Sequence, residues 1–297
     1  MSEPASATRP AARNCAVLGS PIAHSLSPIL HRAAYTGLGL DGWAYRAVEC
    51  DVPSLSGLLD GLDRSWAGLS LTMPLKRAVL PLLDDVSALA VAVGGANTVT
   101  FADGRRRGDN TDVPGIVAAL REAVAPAPGG SAGAAHPRDA VVLGAGATAA
   151  STLAALRDLG IADVTVLARS LSRADELREA AERLGVRPGL APLEDVKTHL
   201  GRDLLVSTLP SGAADVIAPL LPSAPPRVLF DVVYAPWPTA LGTAAAEAGA
   251  TVVGGLPMLV HQAVRQVELM TGVPRVPETV VAAMRAAGEA ELARRAS

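Results

Sequence analysis

Residues 140–149 read AVVLGAGATA, and this stretch decides the fold. The apolar run 140–143 predicts a short buried strand, and GAGATA fits the pattern G-x-G-x-x-G/A with alanine in the third place. A helix is predicted to follow over 147–159 and to stop at Gly160. The first glycine permits a tight turn, the second lets a pyrophosphate approach the backbone, and the helix N-terminus supplies free N–H groups. The stretch therefore indicates a dinucleotide site, with a glycine-rich turn that binds nothing as the alternative.

Downstream of this stretch the alternation of strand and helix continues. Further apolar strands are predicted over 163–168, 204–208, 228–234 and 250–255. Such alternation favours a parallel sheet with helices on both faces. Two more helices are predicted after the last strand, over about 257–271 and 277–294.

The end of the second of these strands indicates which dinucleotide is bound. NAD-binding domains usually carry an acidic residue there, bonded to the ribose 2′-hydroxyl. This strand ends at Ala168, and Arg169, Ser170 and Arg173 follow without an acid. The planar fork of an arginine donates paired hydrogen bonds to phosphate oxygens, so the segment suits a 2′-phosphate. We predict NADP as the cofactor, although two solvated arginines would look the same in isolation.

Upstream, the segment APAPGGSAGAAHPR at 125–138 is low in complexity and predicts a solvated loop. Earlier strands are predicted over 14–18, 43–48 and 66–71, and a hairpin is predicted to turn at Asp103–Gly104. A helix is predicted to begin at Ser27-Pro28, with Ser27 as its N-cap. The crossing between two domains is expected near Asp112/Val113.

Composition narrows the function classes. With 297 residues and 49% hydrophobic residues, the chain can form two domains with sizeable cores. Its net charge of −3 creates no positive field, so nucleic acid is not an expected partner. Cys15 and Cys50 cannot form a disulfide framework and are expected to be ordinary buried thiols of a reducing compartment. No apolar run reaches membrane-spanning length, and the N-terminus lacks the apolar centre of a signal peptide. We expect a soluble cytoplasmic protein without a membrane partner.

Small polar residues cluster in the first part of the chain, beside predicted strands and turns. They lie in the strings SPIAHSLSP (20–28), LSLTMPLK (69–76), GGANTV (94–99) and GDNTD (108–112). Such groups add little to a hydrophobic core. They suit the recognition of a polyhydroxylated ligand, which needs several convergent hydrogen bonds.

Lys76 and Asp112 are the strongest acid/base candidates in these strings. Reduction of a ketone places hydride on carbon and a proton on oxygen, and a positioned ammonium can supply that proton while a carboxylate orients it. The alternatives are an exposed surface lysine and a helix N-cap at Asp112 ahead of Val113 and Pro114. The histidines show no metal-ligand spacing, and His24 is interpreted as structural.

Six ordered motifs make the sequence similar to the shikimate dehydrogenase family, from about Cys15 to about Gln266. The family patterns G-x-P-I-x-H-S-x-S-P and N-V-T-x-P-x-K correspond to 19–28 and 70–76. The patterns A-x-N-T and G-x-N-T-D-G correspond to 95–98 and 108–112, with small changes. The late motifs D-x-x-Y-x-P-x-x-T and G-x-x-M-L-V-x-Q-A match over 231–239 and 255–263.

The resemblance implies fold, reaction and partners. The expected architecture is α/β with two domains: an N-terminal α/β domain for substrate binding and catalysis over 1–112, and a Rossmann-type, doubly wound parallel-sheet domain for NADP over 113–255. The composition of residues 1–13 separately predicts a disordered tail. The helices of 256–297 would return to the first domain. The reaction would be the reversible NADPH-dependent reduction of 3-dehydroshikimate to shikimate, by a monomer or homodimer.

The resemblance also implies residue roles. Lys76 and Asp112 would form the catalytic pair. Substrate would contact Ser25, Ser27, Thr72, Asn97, Asp112, Tyr234 and Gln262, the two serines and Tyr234 near its carboxylate. NADP would contact Gly144, Ala145, Gly146, Ala147, Thr148, Arg169, Ser170, Arg173, Thr208, Val232, Gly255 and Met258, the last four near the nicotinamide half.

The sequence also departs from the family pattern. Ser70 stands where asparagine is usual, Val113 where glycine is usual, and Val232 where methionine is common, while Ala147 and Ala149 leave the glycine-rich loop with fewer glycines. The first two changes bear on the shape of the pocket near the acid/base pair. Two alternatives therefore stay open: a quinate/shikimate or aminoshikimate dehydrogenase of a specialised pathway, and a non-catalytic NADP-binding regulator.

Overall fold

The computed structural model describes residues 12–124 and 136–296 and places them in two six-stranded sheets. Most of the predicted N-terminal tail and most of the predicted loop at 125–138 lie outside the described residues. Arg13, which was predicted to lie in the tail, belongs to the first strand and pairs with Trp43.

The first sheet is mixed. Its strands are β1 (Arg13–Gly19), β2 (Trp43–Glu49), β3 (Trp66–Leu71), β4 (Asp85–Val86), β5 (Thr98–Ala102) and β6 (Arg105–Asp109). They lie in the order β2-β1-β3-β5-β6-β4, with β1 parallel to both neighbours and β5 antiparallel to β3 and β6. The accompanying helices are α1 (Ser27–Gly37), α2 (Val52–Asp60), α3 (Leu75–Ala78) and α4 (Ala88–Val93).

The hairpin between β5 and β6 turns where the sequence predicts. Asp103 and Gly104 both have positive φ, 54° and 74°, which is the backbone of the turn that joins twisted antiparallel strands. The register pairs Ala102 with Arg105 directly across this turn.

The second sheet is wholly parallel and follows the connecting helix α5 (Asp112–Val124). Its elements are β7 (Asp139–Leu143), α6 (Ala147–Asp158), β8 (Asp163–Ala168), α7 (Asp175–Leu184), β9 (Gly189–Pro192), β10 (Leu204–Ser207), β11 (Val228–Asp231), α8 (Ala240–Glu247) and β12 (Thr251–Val253). The order β12-β11-β10-β7-β8-β9 is the 3-2-1-4-5-6 order of a doubly wound dinucleotide-binding fold, read from the other edge. The predicted fold class is confirmed.

Two details of this sheet differ from the prediction. The strand predicted over 228–234 ends at Asp231, because that carboxylate accepts a hydrogen bond from the Val233 N–H (3.2 Å). The edge strand β9 was missed, since its four residues include Gly189 and Pro192 and carry no apolar alternation.

The last two helices are α9 (Gly255–Thr271) and α10 (Glu278–Ala296), and they pack against the first half of the chain. Helix α10 lies along α1, and α9 contacts α1, β3 and β5. One core cluster joins these helices to the first sheet through Val17, Leu30, Ala34, Val260, Val267, Val280 and Met284. Helix α5 shares a core with the second sheet through Val113, Ile116 and Leu120, and it also packs along α9. The predicted division at 112/113 and at 255/256 stays a prediction.

Candidate active site

Two connected cavities lie between the halves of the molecule. The larger, of about 700 Å³, runs along the glycine-rich loop, and the smaller, of about 240 Å³, lies over the first sheet. Thr72, Lys76 and Thr148 line both. The two cavities therefore adjoin at these three residues, of which Thr148 lies in the first turn of α6.

Lys76 and Asp112 form an ion pair where the cavities meet, with Nζ 2.6 Å from Oδ2. Both residues line the smaller cavity, and the lysine side chain, 16% exposed, is more accessible than the aspartate side chain, 2% exposed. Lys76 sits on the short helix α3 just after β3, and Asp112 in the first turn of α5. The interpretation of Lys76 as an ordinary surface lysine is therefore wrong.

The alternative that made Asp112 the N-cap of α5 is also wrong. Asn110 caps the helix, since its Oδ1 accepts the N–H groups of Asp112 (3.1 Å) and Val113 (3.3 Å). The Asn110 amide is fixed in turn by donating to the carbonyl of Gly95 (2.8 Å). With the capping role taken by Asn110, the carboxylate of Asp112 is free to turn toward Lys76.

The predicted N-cap of α1 at Ser27 is wrong for a similar reason. Ser27 is the first residue of the helix, and the cap position is Leu26. The N–H of Ser27 donates to Ser25 Oγ (3.2 Å), so the earlier serine of the motif supplies the acceptor for the first N–H of the helix.

Asn97 fixes the carboxylate of Asp112 from the other side. Its Nδ2 donates to Asp112 Oδ1 (2.8 Å) and to Gln262 Oε1 (3.0 Å). Its Oδ1 accepts the backbone N–H of Thr111 (2.7 Å), which can only donate, so the orientation of the amide is determined. Each oxygen of Asp112 thus accepts one hydrogen bond, Oδ2 from Lys76 and Oδ1 from Asn97.

The smaller cavity collects most of the side chains predicted to bind substrate. Ser25, Ser27, Thr72, Tyr234 and Gln262 line it, together with Lys76 and Asp112. Asn97 is 1% exposed and lies behind the wall rather than on it. Burial raises the pKa of Tyr234, so its hydroxyl stays protonated and able to donate. A polar chamber of this size suits a small hydroxylated carboxylate.

The larger cavity has the features of a dinucleotide site. Gly144 to Thr148, Arg169, Ser170 and Thr208 line it. Helix α6 begins after Gly146 without a side-chain cap, so its first N–H groups are available to an anion. Gly144 has φ of 104°, and a Cβ there would lie 2.5 Å from Thr208 Oγ1. Thr208 Oγ1 itself donates to the carbonyl of Leu143 (2.8 Å), which fixes the loop beside the strand.

Other residues predicted for the cofactor fall elsewhere. Val232, Gly255 and Met258 line the smaller cavity rather than the larger, as a nicotinamide that reaches the substrate would require. The backbone of Gly255 lies so close to the backbone of Val232 that a Cβ at position 255 would collide with the Val232 carbonyl. Arg169 is exposed, and the side chain of Arg173 lies outside the described part of the chain.

A buried carboxylate supports the loop that carries Val232 and Tyr234. Asp231 Oδ2 accepts a hydrogen bond from Thr239 Oγ1 (2.9 Å), and Thr239 Oγ1 accepts the N–H of Gly242 (3.0 Å). Burial raises the pKa of Asp231. The late motif D-x-x-Y-x-P-x-x-T thus stabilises this loop through Asp231 and Thr239 and supplies Tyr234 to the cavity.

Several residues of the site were missed by the sequence interpretation. Gln266 lines the smaller cavity beside Gln262, and Arg77 and Glu176 form an ion pair at the wall of the larger one. Ser70, which the sequence did relate to the shape of the pocket, also lines the smaller cavity. The spacing of Gln262 and Gln266, one helical turn apart, could have indicated that both face the same way. His24 lies at the edge of the smaller cavity, with its carbonyl held by Arg295 (2.7 Å).

Other classes of site are absent from the described residues. Within 12–124 and 136–296, no group of three His, Cys, Asp or Glu side chains could hold a metal ion. Both cysteines are buried and unpaired, as predicted, and burial raises the pKa of Cys15 to about 11. In the same residues, every helix is too short or too polar to cross a bilayer.

Comparison with protein families gives three matches along the chain. The model of the shikimate dehydrogenase substrate-binding domain matches residues 17–99. The model described as shikimate / quinate 5-dehydrogenase matches residues 131–215, and that of the shikimate 5'-dehydrogenase C-terminal domain matches residues 255–287.

Curated relatives and solved structures agree with these matches. The chain is 39% identical to a shikimate dehydrogenase (NADP(+)) of Thermus thermophilus over 92% of its length and 97% of the relative's. It is 34% identical to that of Methanothermobacter thermautotrophicus, over 86% and 90%. Shikimate dehydrogenase of Mycobacterium tuberculosis superposes with a TM-score of 0.81 at 39% identity, over 93% of this chain and 99% of the other. A Thermus thermophilus enzyme in complex with NADP(H) and shikimate gives a TM-score of 0.77 at 36% identity, with the same coverage.

Proposed function

The chain belongs to the shikimate dehydrogenase family, and from this premise we propose how its residues carry out the reaction. The protein is an NADP-dependent oxidoreductase that interconverts 3-dehydroshikimate and shikimate. The observation that carries the mechanism is the ion pair of Lys76 and Asp112 at the junction of the two cavities.

The cofactor and the substrate are assigned to the two cavities. NADP occupies the larger cavity, with its pyrophosphate at the uncapped N-terminus of α6 and its 2′-phosphate at Arg169 and Ser170. The contribution of Arg173 stays a prediction from the sequence. When bound, NADPH supplies the hydride. The substrate occupies the smaller cavity, with its carboxylate toward Ser25, Ser27 and Tyr234.

Lys76 supplies the proton in the direction of reduction. Its ammonium faces the cavity while Asp112 holds it, so an N–H of Nζ can be directed at the ketone oxygen. As hydride arrives at carbon, that proton moves to oxygen, and in the reverse direction the resulting amine accepts it back. Because Asp112 and its partners are fixed before substrate binds, little reorganisation accompanies the step.

The substrate hydroxyls are assigned to Thr72, Asp112, Gln262 and Asn97. The first three line the cavity and can contact a ligand directly. Asn97 uses both amide hydrogens within the protein, so a direct contact requires it to exchange its bond to Gln262 for one to substrate. Without that exchange Asn97 acts by holding Asp112 and Gln262.

A matrix of activity tests the function. The purified protein is assayed for oxidation of shikimate and of quinate, each with NADP and with NAD. We expect turnover of shikimate with NADP to exceed the other three combinations by far. A preference for quinate with NAD would indicate the specialised alternative, and absence of turnover in all four would indicate a non-catalytic NADP-binding protein.

Location and assembly are also part of the proposal. Two buried, unpaired thiols fit a reducing compartment, and we place the protein in the cytoplasm. We propose a monomer or homodimer, since residues of one chain line both the substrate and the cofactor cavity.

A further inference from the structure

A continuous series of hydrogen bonds runs beneath the smaller cavity and ends at Asp112. Its links join Tyr45 Oη to Ser70 Oγ (2.6 Å), Ser70 Oγ to Gln266 Oε1 (2.9 Å), Gln266 Nε2 to Thr98 Oγ1 (3.2 Å), Thr98 Oγ1 to Asn97 Oδ1 (2.9 Å) and Asn97 Nδ2 to Asp112 Oδ1 (2.8 Å). All six residues are buried, and Ser70 and Gln266 also line the cavity. We call this series the Tyr45–Asp112 chain.

The direction of the chain is fixed at its catalytic end. The Thr111 N–H can only donate, so the atom of Asn97 that it contacts is the oxygen, and the amide nitrogen must face Asp112. The orientation of the Gln266 amide follows in the same way. The backbone carbonyl of Asn97 can only accept, so the Gln266 atom that faces it (3.4 Å), and that also contacts Thr98 Oγ1, is the nitrogen Nε2.

The direction is then fixed back to Tyr45. Because Gln266 presents Oε1 to Ser70, the single hydroxyl hydrogen of Ser70 must be donated to it. Ser70 therefore has only a lone pair for Tyr45, and the tyrosine must donate. Burial raises the pKa of Tyr45 far above its ordinary value, so this donor keeps its proton. Every link points toward the carboxylate, and donors aligned in this way polarise one another.

Tyr45 is itself held in place. Its ring stacks on His31 at 3.8 Å between centroids, and it is 4% exposed. Position 70 is one where asparagine is usual in the family, and the shorter serine side chain here meets the Tyr45 hydroxyl. The two residues together thus supply the donor that orients the Gln266 amide.

We propose that Tyr45 and Ser70 are positioning residues of the reaction, which act through Gln266 and Asn97 to hold Asp112 in the orientation that serves Lys76. The inference rests on the proposed function. Without the Ser70 hydroxyl, Gln266 Oε1 loses the donor that fixes it, and the amide is held only through its Nε2 contacts with Thr98 and Asn97. Asn97 Oδ1 keeps the Thr111 N–H, but its contact with Thr98 Oγ1 is then less firmly held, and the position of Asp112 becomes less exact.

The test compares Ser70→Ala, Tyr45→Phe and the double variant. Steady-state kinetics with shikimate and NADP give kcat and KM, and titration gives the Kd for NADP. We expect kcat to fall about tenfold for Ser70→Ala and about threefold for Tyr45→Phe, with KM for shikimate and Kd for NADP nearly unchanged. The double variant should be no slower than Ser70→Ala, because both changes break the same chain. Ser70→Thr keeps the hydroxyl and should stay close to wild type.

Tyr35→Phe is the matched control. Tyr35 is a second buried tyrosine of the same core, and its hydroxyl lies against Cys15 outside the chain. Its loss should leave kcat unchanged. Multiplicative effects in the double variant, or a rise in KM with kcat unaltered, would overturn the positioning role. Should Ser70→Ala fail to fold, an unchanged kcat in Tyr45→Phe would overturn it alone. A wild-type protein inactive on shikimate with NADP would overturn the proposed function as well.

Discussion

The two walls of the cleft present different groups to a ligand: side chains on one wall and mainly backbone on the other. The wall on the side of the first sheet presents Lys76, Asp112 and Gln262, and hydrogen bonds link these side chains to one another and to Asn97 behind them. The wall formed by the second sheet presents backbone: the glycine-rich loop and the uncapped start of α6, with the exposed Arg169 at the far end. Backbone donors can bind a phosphate whatever the substrate, whereas a fixed network of side chains determines which reaction takes place. We therefore expect changes in the first wall to alter turnover and changes in the second to alter cofactor binding.

Asp112→Asn should have the largest effect among changes in the partners of Lys76. The amide would present an N–H group either to Asn97 Nδ2 or to Lys76 Nζ, both of which are donors, and it would not neutralise the ammonium. We expect kcat to fall on the order of a hundredfold while Kd for NADP stays the same. Asp103→Asn, in the exposed hairpin turn, is the control and should behave as wild type. An equal loss of NADP binding in Asp112→Asn would show that the walls are not independent.

Gly144→Ala breaks the second wall. A Cβ at φ of 104° and 2.5 Å from Thr208 Oγ1 would displace the loop from the start of α6. We expect Kd for NADP to rise on the order of tenfold, measured by fluorescence titration, with Kd for shikimate unchanged. Gly160→Ala has a similar positive φ with open space around it, so it reports the backbone cost away from the loop. Weakened NADP binding in both variants would point to general destabilisation.

Arg169→Ala sharpens the comparison within the second wall. Loss of one charge-assisted contact to a 2′-phosphate should raise Kd for NADP about tenfold and leave Kd for NAD unaltered. Arg157→Ala removes an arginine paired with Asp158 on the surface of α6 and is the control. If both dinucleotides weaken equally, Arg169 does not recognise the 2′-phosphate.

His31→Gln tests how a fully buried histidine beside the first sheet makes the free energy of unfolding depend on pH. Nδ1 of His31 donates to the Ser27 carbonyl (2.9 Å), and burial lowers its pKa to about 4. The unfolded chain binds this proton near its ordinary pKa, so the folded protein loses stability as pH falls from about 6.5, by about 2 kcal/mol at pH 5. Urea unfolding at several pH values should show a shallower loss in His31→Gln. If the free energy of unfolding falls equally with pH in variant and wild type, His31 is not the group that causes the loss.

Local structures are predictable from sequence, because the residues of a short motif come together within one turn or at one strand end. The glycine-rich loop, the hairpin at Asp103 and the parallel strands are of this kind. Asp112 was identified, but the cap of its helix was not, since Asn110 and Asp112 are equally good caps in a sequence.

Contacts between distant segments were harder to predict. Gln266 meets Ser70 across 196 positions in the chain, and no local pattern records that α9 lies across the first sheet. The burial of Asn97 behind the cavity wall likewise follows from packing and not from the motif that contains it. Sequence therefore indicates which residues carry the chemistry, and the tertiary packing decides how each is held.

Turnover and binding by Lys76→Ala and Lys76→Arg test most directly the claim that an ammonium at this position protonates the substrate. We predict that kcat falls by about 10²–10⁴ in Lys76→Ala, while Kd for shikimate and for NADP changes little. Lys76→Arg keeps the charge beside Asp112 but releases its proton poorly, so it should bind both ligands and remain slow. Turnover near the wild-type rate in Lys76→Ala, or a loss of activity explained wholly by weaker binding, would contradict the account.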